Sequence, residues 1–323
     1  MMHRCGCDAD AVVSHGQLPG GKEASMQQST SLSLPHFLTA LAVMAIWGTN
    51  FVVIRIGLAE LPPLLMAALR FTFVFFPMAL FLPRPKVPLI WLASYGVLVG
   101  SLQFGLLLVA MERDISPGLA SIVAQAQVFF TIGLAIVIDK EKVLGHQWVA
   151  LSLAAGGMVL IGVMGGGDAT VLGLLLTLCS AFSWAAGNMV ARATPGVNML
   201  AYVVWSGLFG AVPLFLLAAL VEGPQAITTG ILEAPPVAWA VVLWQAVGNS
   251  LFGYAVYGWL LANYRAASVA PLTLLVPVFG LSASVLVLGE SLPVWKITAA
   301  LMIIGGLAIN QYWPVLRGMR ASV

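Results

Sequence analysis

Trp47 and Asn50 lie three residues apart inside an apolar run, and Ser180, Trp184 and Asn188 follow at intervals of four inside another. On a helix each set shares one face. Ser121 and Gln125 form a further i, i+4 pair, as do Gln245 and Asn249; Gln103, Gln127 and Tyr254 are polar residues in the same kind of surroundings. All are uncharged donors or acceptors. They suit reversible hydrogen bonding to a small polar solute and offer no nucleophile with an adjacent base. The competing use is adhesion between helices, at about 1 kcal/mol per hydrogen bond. As a set they read as the lining of a polar cavity. Gln125 and Gln127 would stand about 200° apart on one straight helix, so one is expected to face the cavity and the other a neighbouring helix.

Arg70 is the one cation placed well inside an apolar run. It lies about 9 Å from the outer end of its span. Two uses are open: snorkelling to the outer interface beside Glu60, or binding an anionic group of a solute. Arg55, at the end of its run, reads as a snorkelling residue. Pro271 and Pro277 interrupt another run. Each removes a backbone donor and displaces the carbonyl four residues back, at Ala267 and Thr273, where it can bind solute or fill a packed kink. Enzyme chemistry is disfavoured: His3, His15, His36 and His146 lie in the N-terminal stretch or at span ends, away from any serine or paired carboxylate at matching depth. Cys5 and Cys7 near His3 and His15 match no standard metal spacing, and no disulfide framework follows from them and Cys179. Gly165-Gly166-Gly167 lacks the Lys-Ser/Thr of a phosphate loop. No cofactor or metal is implied.

The positions of these residues require a membrane. Sixty per cent of the 323 residues are hydrophobic and only 8% are charged, with a mean hydropathy of +1.00; a soluble chain carries roughly 25% charged residues. Ten apolar runs of bilayer length fall near 37–57, 64–83, 89–110, 117–138, 146–164, 170–191, 200–221, 237–261, 268–289 and 295–313. Turn residues such as Pro62-Pro63, Pro195-Gly196 and Pro235-Pro236 separate them. With the N-terminus inside, the inner loops and C-terminus hold Arg84, Lys86, Lys140, Lys142, Arg192, Arg265, Arg317 and Arg320, and the outer loops hold Arg113 and Lys296. This bias predicts that both termini are cytoplasmic. The net charge of +2 gives no reason to expect nucleic acid. Residues 1–35, polar and without an apolar core, read as a disordered cytoplasmic extension, and residues 315–323 as a cytoplasmic tail.

The two halves resemble each other weakly but in constant order. An offset of 149 places Glu141 on Glu290 and Gly156-Gly157 on Gly305-Gly306; an offset of 148 places Phe104-Gly105 on Phe252-Gly253. The counterpart of Arg70 is Ser206, so that charge belongs to one half only. Five spans per copy make the copies inverted, a symmetry suited to alternating access around a midplane site. The expected fold is an all-α membrane protein: ten transmembrane helices as two inverted five-helix repeats, 36–165 and 170–314, around a central cavity.

Several stretches resemble the EamA family of the drug/metabolite transporter superfamily: Trp47-Gly48-Thr49-Asn50-Phe51, Pro62-Pro63-Leu64, Leu69-Arg70-Phe71, Gln125-Ala126-Gln127, Ala181-Phe182-Ser183-Trp184, and Ala270-Pro271-Leu272 through Pro277. The resemblance spans roughly residues 37–313, and the N-terminal extension departs from it. It implies ten spans, a central cavity and secondary efflux from the inner membrane of a bacterium. Its nearest branch implies a small amino-acid metabolite such as O-acetylserine or cysteine, for which uncharged cavity groups are suited; a drug, purine or sugar is the alternative. The cavity residues named on this reading are Trp47, Asn50, Arg70, Gln103, Ser121, Gln125, Gln127, Trp184, Asn188, Asn249, Tyr254, Pro271 and Pro277. The partners implied are the solute and the lipid bilayer. Glu112, Asp139 and Glu290 sit at span ends, so coupling stays open between facilitated efflux and proton antiport, with Glu290 the candidate carrier.

Overall fold

A computed structural model describes residues 32–139, 144–264 and 266–320. Most of the expected N-terminal extension, with Cys5, Cys7, His3 and His15, lies outside these residues, as do Lys140, Glu141, Lys142 and Arg265.

The chain is helical: α1 (Leu34–Gly57), α2 (Pro63–Leu80), α3 (Leu89–Arg113), α4 (Pro117–Ile138), α5 (Gly145–Met164), α6 (Val171–Arg192), α7 (Met199–Val221), α8 (Pro224–Leu232), α9 (Pro236–Leu261), α10 (Pro271–Leu288) and α11, counted as a span over Val294–Trp313. Among the described residues nine of these are long and apolar enough to cross a membrane, and α8 with α9 makes a tenth if that bent pair is one span. Local chemistry sets the ends. Pro63, Pro117, Pro224 and Pro236 occupy first turns, where the missing N–H has no intrahelical partner to lose. Thr170 caps α6 by accepting from Gly173 N at 2.9 Å, and Asn198 caps α7 through Ala201 N at 3.1 Å. The start of α2 is capped from a distant element: the Glu222 carboxylate accepts from Leu64 N at 2.6 Å and Leu65 N at 3.1 Å. Burial, set against those two bonds, holds this carboxyl above the ordinary glutamate range.

Packing turns the usual soluble pattern outward. Leu220, Leu232 and Leu286 are each more than four-fifths exposed, which suits lipid and would be a liability in water. Inside, α2 packs on α7, α5 on α11, α1 on α10, and α4 on both α6 and α10, while α3 touches α6 and α7, and α9 touches α1 and α2. The α3–α7 crossing depends on small residues: a Cβ on Gly100 would meet Gly210 Cα at 2.7 Å.

Four departures from the expected spans matter. A helix not anticipated, α8, precedes the eighth span and bends 98° from α9; Pro235 and Pro236 deny the chain the donors needed to continue straight. The ninth span is regular only from Leu275, because Pro271 sits in a tight 3₁₀ turn over Ala270–Leu274. The fourth span is tightened near Ala124, where Gln125 N, Gln127 N and Val128 N bond three residues back, to Ile122 O, Ala124 O and Gln125 O. The helical boundaries also exceed the expected tails: α1 begins at Leu34, and α11 continues to Arg320.

Candidate functional site

Two wide turns shape the interior. Gly96–Phe104 in α3 and Trp244–Phe252 in α9 adopt the looser i→i+5 helix, each nine residues long and each followed by a glycine. Such a turn leaves carbonyls misaligned with the next turn, and another helix takes them up. Ser180 Oγ of α6 donates to Gln103 O at 2.7 Å, and Trp47 Nε1 of α1 donates to Asn249 O at 3.1 Å. The absent side chain of Gly253 leaves room for the Trp47 indole, whose nearest atom to a built Cβ is Nε1.

Around these turns lies a cavity of about 220 Å³. Ten of the residues named from sequence line it: Trp47, Asn50, Gln103, Ser121, Gln125, Gln127, Trp184, Asn188, Asn249 and Tyr254. Both Gln125 and Gln127 reach it, because the argument placing them on different faces assumed a straight helix and the tightened turn removes that assumption. Gln127 Oε1 also accepts from Asn188 Nδ2 at 3.4 Å, across α4 and α6. Apolar and aromatic neighbours complete the wall, among them Phe51, Ile54, Phe104, Leu107, Tyr257 and Val276. Trp47 packs against Tyr254 and Tyr257 with ring centroids 5.7 and 5.2 Å away. Among the described residues no Asp, Glu, Lys or Arg lines the cavity. Two buried acceptors in its wall, Asn50 Oδ1 and Gln103 Oε1, have no hydrogen-bond partner among the described residues.

The other three named residues stand apart from the lining. Arg70 is wholly buried, which rules out snorkelling to the interface. It donates to Gln245 Oε1 at 3.0 Å, Asn249 Oδ1 at 2.8 Å and Ser250 Oγ at 2.9 Å. Its guanidinium lies 3.6 Å over the Phe104 ring. Pro271 and Pro277 do not touch the cavity, but Thr273 does, and the carbonyl that Pro277 displaces, Thr273 O, accepts from Gln125 Nε2 at 3.4 Å. Sequence reasoning had named Thr273 only for its displaced carbonyl, and it missed Tyr257 and the apolar wall. Tyr257, three residues after Tyr254, carried a usable helical signal; Leu107 and Val276 carried none.

A second polar cluster ties together the ends of α1, α3, α4, α10 and α11. Lys296, wholly buried, pairs with Asp168 at 3.0 Å and Glu290 at 3.4 Å. Glu290 also accepts from Ser116 Oγ at 3.0 Å and Gly118 N at 3.1 Å, at the start of α4. Arg55 donates to Met111 O at 3.3 Å and Glu112 O at 2.7 Å, so it caps the end of α3 where sequence suggested snorkelling. Lys296 therefore acts as an internal counter-ion, although in sequence it reads as a loop charge.

The chain is similar to known proteins along most of its length. Residues 34–163 and 171–311 match the EamA-like transporter family. A protein of Salmonella typhimurium named "Probable amino-acid metabolite efflux pump" is 39% identical over 290 residues, covering 88% of this chain and 97% of that protein. An Escherichia coli protein of the same name is 38% identical, covering 84% of this chain and 93% of that one. A solved structure titled "Crystal structure of protein" superposes with a TM-score of 0.58 at 18% identity, covering 85% of this chain and 96% of that one; at this identity it speaks to fold alone.

Proposed function

The chain belongs to the EamA-like transporter family, and from that premise we propose that it exports small amino-acid metabolites, O-acetylserine and cysteine first among them, across a bacterial inner membrane by alternating access. It is a multi-pass membrane transporter and not an enzyme. The observation that carries the substrate reading is the cavity's chemistry. Its wall is uncharged among the described residues, yet it contains two buried, unpartnered acceptors, Asn50 Oδ1 and Gln103 Oε1. An orphaned acceptor costs about 1–3 kcal/mol, and a solute ammonium or hydroxyl removes that cost. At about 220 Å³ the space is small beside typical ligand pockets of about 300–1,000 Å³. The relatives named as amino-acid metabolite efflux pumps support the same class.

In this reading ten spans form two inverted repeats, 36–165 and 170–314, with both termini cytoplasmic. Three observations support it. The family matches twice, once in each half. The wide turns begin at Gly96 and Trp244, the same 148 residues apart as the Phe-Gly pairs at their ends. Exchanging the halves maps the α1–α10 contact onto α6–α4 and the α3–α6 contact onto α9–α1.

Overexpression in a host lacking its own exporters should raise tolerance to excess cysteine and increase thiol and O-acetylserine in the medium. A medium unchanged in both, with the protein present in the membrane, removes the substrate assignment.

A further inference from the structure

Arg70 poses a problem that its packing does not solve. It is a fully buried cation in the interior of a membrane protein, and among the described residues no carboxylate pairs with it. Neutral acceptors from α9 and the rings of Phe71 and Phe104 surround it, and among the described residues its Nε has no partner. A buried unpaired charge is costly, and helix adhesion alone would be served by a neutral side chain.

The guanidinium stands one residue behind the cavity wall. Asn249, Phe104 and Tyr254 line the cavity; the first accepts from Arg70 and the other two line the small void in which Arg70 lies. Arginine has only donors, so the Asn249 amide must turn its oxygen to Arg70 and leave its NH₂ group to the cavity. The unpartnered acceptors Asn50 Oδ1 and Gln103 Oε1 belong to the same cavity. One part of the wall thus presents the Asn249 NH₂ group backed by positive charge, while two other wall residues hold buried acceptors that lack a partner among the described residues.

We infer that Arg70 is a positioning residue for substrate polarity: through Asn249 it makes one wall of the cavity a carboxylate-recognising surface, while Asn50 and Gln103 take the ammonium group. The substrate class is a zwitterionic α-amino acid with an uncharged side chain, bound in one orientation. The inference rests on the export reading and deepens it. Arg70 does not touch the solute; its field and its hold on the Asn249 amide do the selecting. A full charge acting on a carboxylate through one intervening amide, even at an effective dielectric near 20, gives a preference on the order of tenfold or more.

The test is binding by the purified full-length protein in detergent, measured by calorimetry with L-cysteine and with L-cysteinamide, which lacks the carboxylate. Wild type should prefer cysteine by tenfold or more. Arg70→Gln should bring the ratio to about one, and Arg70→Lys should retain most of the preference. Asn249→Asp provides the second variant: it keeps the shape, gives Arg70 an ion-pair partner and so favours folding, and should also abolish or reverse the preference. If Arg70→Gln and Asn249→Asp weaken both ligands by one common factor, leaving the ratio at its wild-type value, Arg70 is structural and the inference is wrong. Wild type that favours cysteinamide overturns it too. Wild type that binds neither ligand overturns the amino-acid export reading itself, and this inference with it.

Discussion

Replacing Lys296 with methionine tests whether the buried charge cluster holds the two halves of the chain together. Lys296 has no exposed surface and is the cation between Asp168 at 3.0 Å and Glu290 at 3.4 Å. Methionine fills much of the same volume but leaves two carboxylates near each other without a counter-ion. Removing one partner of a buried pair costs about 3–5 kcal/mol. Glu290→Gln is milder: the amide oxygen still accepts from Gly118 N, and Lys296 keeps Asp168, so the loss is about 1–2 kcal/mol. In the double variant the charges lost at Lys296 and Glu290 offset each other, and it should be more stable than the sum of the single effects predicts by at least about 1 kcal/mol. Thermal unfolding of the four proteins in one detergent, followed by the fraction remaining monodisperse, measures this. Strict additivity, or a Lys296→Met variant as stable as wild type, refutes the account of the cluster as a coupled ionic clasp.

Gly100→Ala places a methyl group against Gly210 Cα, so it should force α3 and α7 apart and cost about 1–3 kcal/mol in thermal unfolding; an unchanged melt contradicts that crossing. Trp47→Phe keeps the aromatic contacts with Tyr254 and Tyr257 but strips Asn249 O of its indole donor. A loss of about 1–3 kcal/mol is expected, with reduced efflux, and equal stability and efflux would show that the bond is dispensable. Glu222 has its pKa raised in the folded protein, so the fold binds that proton more tightly than the unfolded chain does. Its contribution is therefore favourable below the ordinary glutamate value of 4.5 and declines as pH rises through the folded pKa. The melting temperature of wild type should gain more than that of Glu222→Gln as pH is lowered from 7 to 4.5, and parallel pH profiles would contradict this.

The spans were legible because a bilayer demands long apolar runs, and ten of the cavity residues were legible because polar groups inside those runs are costly without a purpose. Asn50, Ser180 and Asn188 announced themselves by type and helical spacing. The rest depended on deviations from regular helices. Gln127 joins Gln125 because α4 tightens near Ala124, and no straight helical wheel yields that. The wide turns in α3 and α9 were hidden for the same reason, although the Phe-Gly pairs at their ends had already suggested the offset of 148. Arg70 was correctly singled out, but its place behind the wall depends on Gln245, Asn249 and Ser250, which lie 175 to 180 residues away. The Lys296 cluster was not legible because its carboxylates come from distant parts of the chain: Asp168 in the α5–α6 turn and the start of α4 meet Glu290 and Lys296 only when these segments pack on the α10–α11 loop.

Transport in inside-out membrane vesicles bears most directly on the claim that a small zwitterion passes through this uncharged cavity. Vesicles containing wild type should accumulate labelled O-acetylserine, and those containing Asn50→Ala or Asn188→Ala at equal protein level should accumulate several-fold less. Accumulation by wild type no greater than in vesicles lacking the protein, or undiminished accumulation by both variants, would contradict it.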